Sequence, residues 1–312
     1  MDMLDTTSNQ GEFLREKVAF CFKPKKDGKG MKRVTCRDEE GSAYRAIHAV
    51  NKTFMVGDLK VTPMPVDHSL PGAMAYAIET SEGNIIYSGD YRFHGLNEKK
   101  TRAFVEKAAS FEPVAMISEG TRIDSDKTET EKDVYDEVNS FSKNSKALVI
   151  ANYPVRDTDR MTTFFNAAKD NNRRLIVSMR QAYLLKVFGE SGEDAPKLED
   201  VSIYIPRKTW GLITEEVDHN LALDDYESWE QEFIGLPNAL TCKDINQNQD
   251  KYIWRCDFFE LKEFLDVKPD PSSKFIWSAT EPFDTKMELN MEIVYNWLSH
   301  FGISRIIHKH VS

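Results

Sequence analysis

Short runs of alternating apolar and polar residues occupy the first third of the chain, and a slower alternation of helical and extended patterns follows. Lys52–Val56 and Leu59–Met64 read as strands joined by the tight turn Gly57-Asp58, and Ala73–Thr80 with Asn84–Ser88 as a hairpin around Ser81-Glu82-Gly83. The spacing of Phe104, Val105, Ala108 and Ala109 predicts a helix over 97–110, ended by Pro113, before a buried strand at Val114–Ile117. Beyond it, helices are expected at 127–142, 157–170 and 181–188, with strands at 147–151 and 174–178 between them. That order is the signature of a parallel sheet covered by helices, so the fold class is α/β. Residues 190–272 are acidic and aromatic, with strands expected near 201–205 and 252–256 and a short helix over 226–233. The pattern closes with a strand at 274–278, a helix at 284–301 and a strand at 305–308. Residues 1–46 are weakly patterned, and Lys23–Gly30 has the composition of a solvated loop with no evident function.

Composition narrows this picture modestly. With 312 residues, 40% of them hydrophobic and 29% charged, the chain has globular composition and room for two domains. No apolar run reaches the roughly 18 residues of a membrane span, and the N-terminus lacks a signal-peptide pattern. A cytoplasmic protein with no membrane partner is expected. Cys21, Cys36, Cys242 and Cys256 form no C-x-x-C pair, which argues against a structural zinc site or a disulfide framework. A formal charge of −10 excludes a broad basic surface for nucleic acid, but Arg156, Arg160, Arg173, Arg174 and Arg180 lie close enough in sequence to line a local channel.

Candidate chemistry concentrates in Val61–Gly95. Asp67-His68 follows one predicted strand and Asp90 follows another, and strand ends are where rigid scaffolds hold reactive groups. An imidazole together with carboxylates is a donor set that metal hydrolases use. Each residue also has a plain structural role open to it: Asp67 as a loop cap, His94 as a backbone hydrogen-bond partner, Arg156 and Arg160 as a solvated helix face, and Ser278 as a helix cap.

The segment Val66-Asp67-His68-Ser69-Leu70-Pro71-Gly72-Ala73, followed by Tyr87-Ser88-Gly89-Asp90-Tyr91-Arg92-Phe93-His94-Gly95, resembles two successive motifs of the metallo-β-lactamase superfamily in its β-CASP nuclease group, the ribonuclease J type. Ile117-Ser118-Glu119-Gly120-Thr121 is similar to the acidic motif that precedes the β-CASP insertion, and Asn152–Met161 with Arg174–Val177 to the start of that insertion. The resemblance implies a partial αββα metallo-β-lactamase sandwich over 1–125, an inserted α/β β-CASP domain over 126–300, and the start of a return to the first domain over 301–312. It further implies His68 and Asp90 as metal ligands of a two-zinc site, and Asp90, Glu119 and Asp67 as the catalytic acids. Arg156, Arg160, Ser278 and His310 would contact RNA phosphates, and RNA and a second copy in a homodimer would be the partners.

The family's H-x-H-x-D-H motif is absent, and the chain stops at His308-Lys309-His310-Val311-Ser312, where a further metal motif would begin. An internal fragment of a zinc-dependent ribonuclease, inactive by itself, is therefore expected. The alternatives are a relative that has lost its metal site and acts as an RNA-binding or scaffold partner, or a hydrolase of the same fold with another substrate.

Overall fold

The computed structural model describes residues 19–24, 31–36, 51–120, 130–143, 145–208 and 223–308. Two strands, β1 (Ala19–Pro24) and β2 (Met31–Cys36), pair antiparallel in a region where sequence pattern predicts no regular structure. Lys23 and Pro24 thus end a strand, and the rest of the expected loop, 25–30, lies outside the described residues.

The second sheet runs β3 (Phe54–Val56), β4 (Leu59–Pro65), β5 (Met74–Thr80), β6 (Gly83–Tyr87) and β7 (Ala115–Ile117) in spatial order. All pairings are antiparallel except β6 with β7, which the intervening helix α1 (Glu98–Ala109) makes parallel. Met64, Ala75, Ala77 and Ile86 form one apolar face, and Phe104 and Ala108 of α1 cover it. β7 corrects the expectation of a buried strand: Val114, Met116 and Ile117 are 68%, 51% and 57% exposed. The strand pairs only with β6, and no described element covers it.

After α2 (Glu131–Ser142) the chain builds a seven-stranded parallel sheet from β8 (Val149–Asn152), β9 (Arg174–Ser178), β10 (Ser202–Tyr204), β11 (Ala239–Leu240), β12 (Tyr252–Arg255), β13 (Lys274–Trp277) and β14 (Arg305–His308). Their spatial order is β11-β10-β9-β12-β8-β13-β14. Central strands are apolar on both sides because both sides are covered. Val149, Ala151, Leu175 and Val177 pack under α2, α3 (Thr158–Asp170) and α4 (Met179–Ser191). Leu148, Ile150 and Ile176 pack instead with Val294 and Leu298 of α5 (Thr285–His300) and with Phe264. β14, expected to begin a return to the first sheet, pairs with β13 at the edge of this one. Among the described residues no helix is long and apolar enough to cross a membrane.

Candidate active site at the junction of the two sheets

Asp67 and His68 follow β4 directly, as the sequence pattern indicates, and both line a cleft of about 480 Å³ between the loops of the five-stranded sheet and α3 of the parallel unit. His68 is partly exposed, and its Nδ1 lies 3.3 Å from Ser69 Oγ. Asp67 is buried, and its main-chain N–H donates to Thr101 Oγ1 at 2.9 Å. Its carboxylate oxygens accept no hydrogen bond of ordinary geometry; Arg92 Nε stands 3.7 Å from Oδ2. Burial pushes the Asp67 carboxyl above its usual range, against the pull of Arg92.

Asp90 is exposed on the loop after β6, where Gly89 takes a left-handed conformation with φ 59. That loop is tied at two points. Arg92 N donates to Asp67 O at 3.0 Å, and Tyr91 N donates to the Glu119 carboxylate at 2.7 Å. Glu119 N in turn donates to Ser88 Oγ at 3.3 Å. The segments carrying Asp67, His68, Asp90 and Glu119 are therefore fastened together by main-chain N–H groups that donate to main-chain and side-chain oxygens.

The second unit enters through a buried charge network that the sequence motifs do not announce. The Arg92 guanidinium, 6% exposed, hydrogen-bonds to the Asp159 carboxylate in the first turn of α3, a residue 67 positions away. Asp159 also accepts from Leu96 N at 3.0 Å. Arg92 lies 4.0 Å from Glu131, which pairs with Arg160 at 3.0 Å and accepts from Thr163 at 2.9 Å. Main-chain bonds reinforce the junction: Thr158 N donates to Ser69 O at 2.9 Å, and Glu131 N donates to His94 O at 3.1 Å. Burial raises Asp159 and Asp157 above the ordinary carboxylate value despite their arginine neighbours. For Glu131 burial acts the same way, but the charge and hydrogen bonds of Arg160 outweigh it and hold the group below that value.

Gly95 sits against this network. A Cβ built there would lie 2.2 Å from Asp67 Oδ2 and 2.4 Å from Arg92 Nε, so the close approach requires glycine. Arg92 and Gly95 are visible in the sequence beside Asp90, but the link to Asp159 and Glu131 joins residues that no periodicity connects.

The expected phosphate contacts divide. Arg156 is exposed on the loop after β8. Arg160 and Ser278 are fully buried, with Arg160 Nη1 donating to Ser278 O at 2.9 Å, and so they face the interior rather than a phosphate. Asp157 caps α3 and draws the Arg160 backbone inward through a 3.0 Å bond, while Glu131 neutralises the guanidinium. His310 lies outside the described residues. His308 ends β14 stacked on Trp277, with its Nε2 2.7 Å from the Tyr295 hydroxyl.

Among the described residues no three His, Cys, Asp or Glu side chains come together to hold a metal ion. His68 and Asp90 are two of the implied donors, whereas a catalytic zinc takes about three protein ligands. The described residues by themselves do not form the implied zinc site.

The chain is thus an α/β protein whose antiparallel-rich sheet and helix-covered parallel sheet meet at an acid-rich cleft. No family model matches the sequence. It is 27% identical over 125 residues to Ribonuclease J of Mycoplasma genitalium, an alignment that takes in 39% of this chain and 22% of that protein. A crystal structure of a protein of unknown function from Enterococcus faecalis shares the fold, with a TM-score of 0.62 at 22% identity, over 88% of this chain and 58% of the other. The chain therefore spans less than two thirds of either protein, and its distant sequence similarity is to a ribonuclease.

Proposed function

We propose that the chain is part of a metal-dependent ribonuclease of the metallo-β-lactamase superfamily, with the five-stranded sheet as a partial lactamase-type domain and the parallel sheet as the β-CASP-type insertion. The observation that carries this reading is the fastening of the Asp67–His68, Asp90 and Glu119 segments to one another, with Asp67 and His68 lining the cleft. The similarity to Ribonuclease J supports RNA as the substrate class. In this reading His68 and Asp90 contribute two donors to a pair of zinc ions, and the remaining donors come from outside the described residues. Asp67 and Arg92 fix the loop beneath His68, and Glu119 holds the loop of Asp90 through Tyr91. Of the two arginines expected at RNA phosphates, Arg156 is the exposed one.

The test is RNA hydrolysis by the protein as the cell produces it, with zinc content measured alongside. EDTA-sensitive cleavage that is lost in His68→Ala and Asp90→Asn, with the fold retained, is the expected result. Cleavage unaffected by both substitutions would overturn the assignment. The lack of a three-donor cluster among the described residues favours a second reading, an RNA-binding relative without hydrolysis; RNA binding with no cleavage in the presence of zinc would select it.

A further inference from the structure

The two units meet without a shared apolar core. Among the described residues, the cluster of the five-stranded sheet, built on Met64, Ala75, Ile86 and Phe104, takes in no residue of the parallel unit, and the two clusters of the parallel unit take in none of the first. The contacts that join them at the cleft are polar: Thr158 to Ser69, Glu131 to His94, and both Leu96 and Arg92 to Asp159. A polar junction between separate cores gives way more readily than a packed one, so movement of one unit against the other is expected.

Arg92 stands between carboxylates of different units. Asp159, on α3 of the parallel unit, holds its Nη2, and Glu131, 4.0 Å from Nη1, is committed to Arg160. Asp67, of its own unit, lies 3.7 Å from Nε. Neither that Nε nor either oxygen of the buried Asp67 carboxylate has a hydrogen bond of ordinary geometry; Lys100 and the Asn97 N–H are the carboxylate's other polar neighbours. A buried donor and acceptor left unmatched side by side cost stability, and a shift of about 0.7 Å would bring them to the usual separation of about 3.0 Å. Gly95 keeps the way clear, since a Cβ there would lie 2.2 Å from Asp67 Oδ2 and 2.4 Å from Arg92 Nε, in the gap between them. Arg92 N already donates to Asp67 O at 3.0 Å, so these two residues stay together if α3 moves away.

We propose that Arg92 is a two-position latch, bound to Asp159 while the units are docked and to Asp67 when α3 draws away and the cleft opens. The second acceptor spares the opened state a guanidinium without a partner, which is the costly part of breaking a buried pair. Because Asp67 directly precedes His68, the exchange also carries the opening to the His68 loop, which Arg92 then holds by side chain as well as by main chain. None of this depends on what the cleft binds. The test is a double-substitution cycle on the full chain, read by thermal unfolding and by the Arg92 Nε–H resonance, which is assigned by its loss in Arg92→Lys. Asp159→Ala imposes the released position. Asp67→Asn should then lower Tm by about 4 °C more in the Asp159→Ala background than in the original protein. In Asp159→Ala alone, the Nε–H should move downfield and exchange more slowly with solvent, a readout that needs no second substitution. Equal Tm losses in the two backgrounds, or an Nε–H that exchanges faster in Asp159→Ala than in the original, would overturn the latch. If Asp159→Ala does not fold, Asp159→Asn, which removes the charge and keeps an acceptor, carries the same comparison.

Discussion

Replacing Gly95 by alanine puts a methyl group 2.2 Å from Asp67 Oδ2 and 2.4 Å from Arg92 Nε, where contacts under 3.0 Å force something to shift. The atoms it meets belong to a buried pair with Asp159 on one side and the β4 loop on the other, so neither has open space to retreat into. Overpacking of this kind costs about 1–3 kcal/mol, and separating a buried ion pair costs about 3–5 kcal/mol. Partial separation puts Gly95→Ala near 3 kcal/mol, or roughly a 5–10 °C fall in Tm for a chain of this size. Thermal unfolding followed by circular dichroism measures it, and amide exchange should show loss of protection at Leu96, whose N–H bonds Asp159. Gly189→Ala is the control. Nothing lies within 4 Å of its Cβ and it sits inside α4, so it should stabilise by up to about 1 kcal/mol. A Gly95→Ala protein within about 0.5 kcal/mol of the original would refute the close approach and the rigidity assigned to the Asp67–Arg92 pair.

Three further outcomes follow from the same geometry. Arg160→Ala leaves Glu131 buried without its main partner and should cost about 3–5 kcal/mol, read as a fall in Tm; an unchanged Tm would place Arg160 at the surface. Asp159→Asn weakens the tie from α3 to Arg92, so limited proteolysis should cut the 88–97 loop faster, and an unchanged rate would argue against a latch between the units. Burial pushes Glu260, beside Arg255 and Asp257, up from 4.5 to about 7, so the folded state binds its proton more tightly than the unfolded state does. That group's contribution to stability is greatest below about 4.5 and falls as pH rises towards about 7. Glu260→Gln should therefore gain stability relative to the original between those values in denaturant titrations, and a gap that shrinks with rising pH would contradict the assignment. Glu131, held low by Arg160, works in the opposite sense: its contribution is present above 4.5 and is lost on acidification.

The alternation of strands and helices from residue 147 onward was legible because each central strand is apolar on both sides and each helix carries a buried stripe. Ala147–Ala151 and the helix at 284–301 are examples that the structure places within a residue or two of expectation. The positions of Asp67, His68 and Asp90 at strand ends were legible for a similar reason, since turn residues mark where each strand stops. Burial was harder to read. Arg156 and Arg160 lie four apart on the same stretch, yet one is exposed and the other sealed, because Glu131 and Ser278 approach only the second. These partners stand 29 and 118 positions away, beyond the reach of any local pattern. The exposure of β7 is hidden from the sequence in the same way: four apolar residues in a row state a preference for burial, and only the arrangement of sheets decides whether it is met.

The insertion of β12 between β9 and β8 bears on how the molecule comes to be folded. β8 has its described strand partners in β12 and β13, both of which follow it by about a hundred positions or more, so that strand must wait for most of the second unit to be synthesised. β9, β10 and β11 can pair earlier among themselves. A growing chain thus holds an apolar strand, Leu148–Ala151, without its neighbours until residues 252–255 emerge, and this interval is when the nascent protein is most open to aggregation. The two units also reach their junction at different times. Arg92 is made long before β12 closes the sheet behind α3, so the Arg92–Asp159 contact belongs to the late steps of assembly.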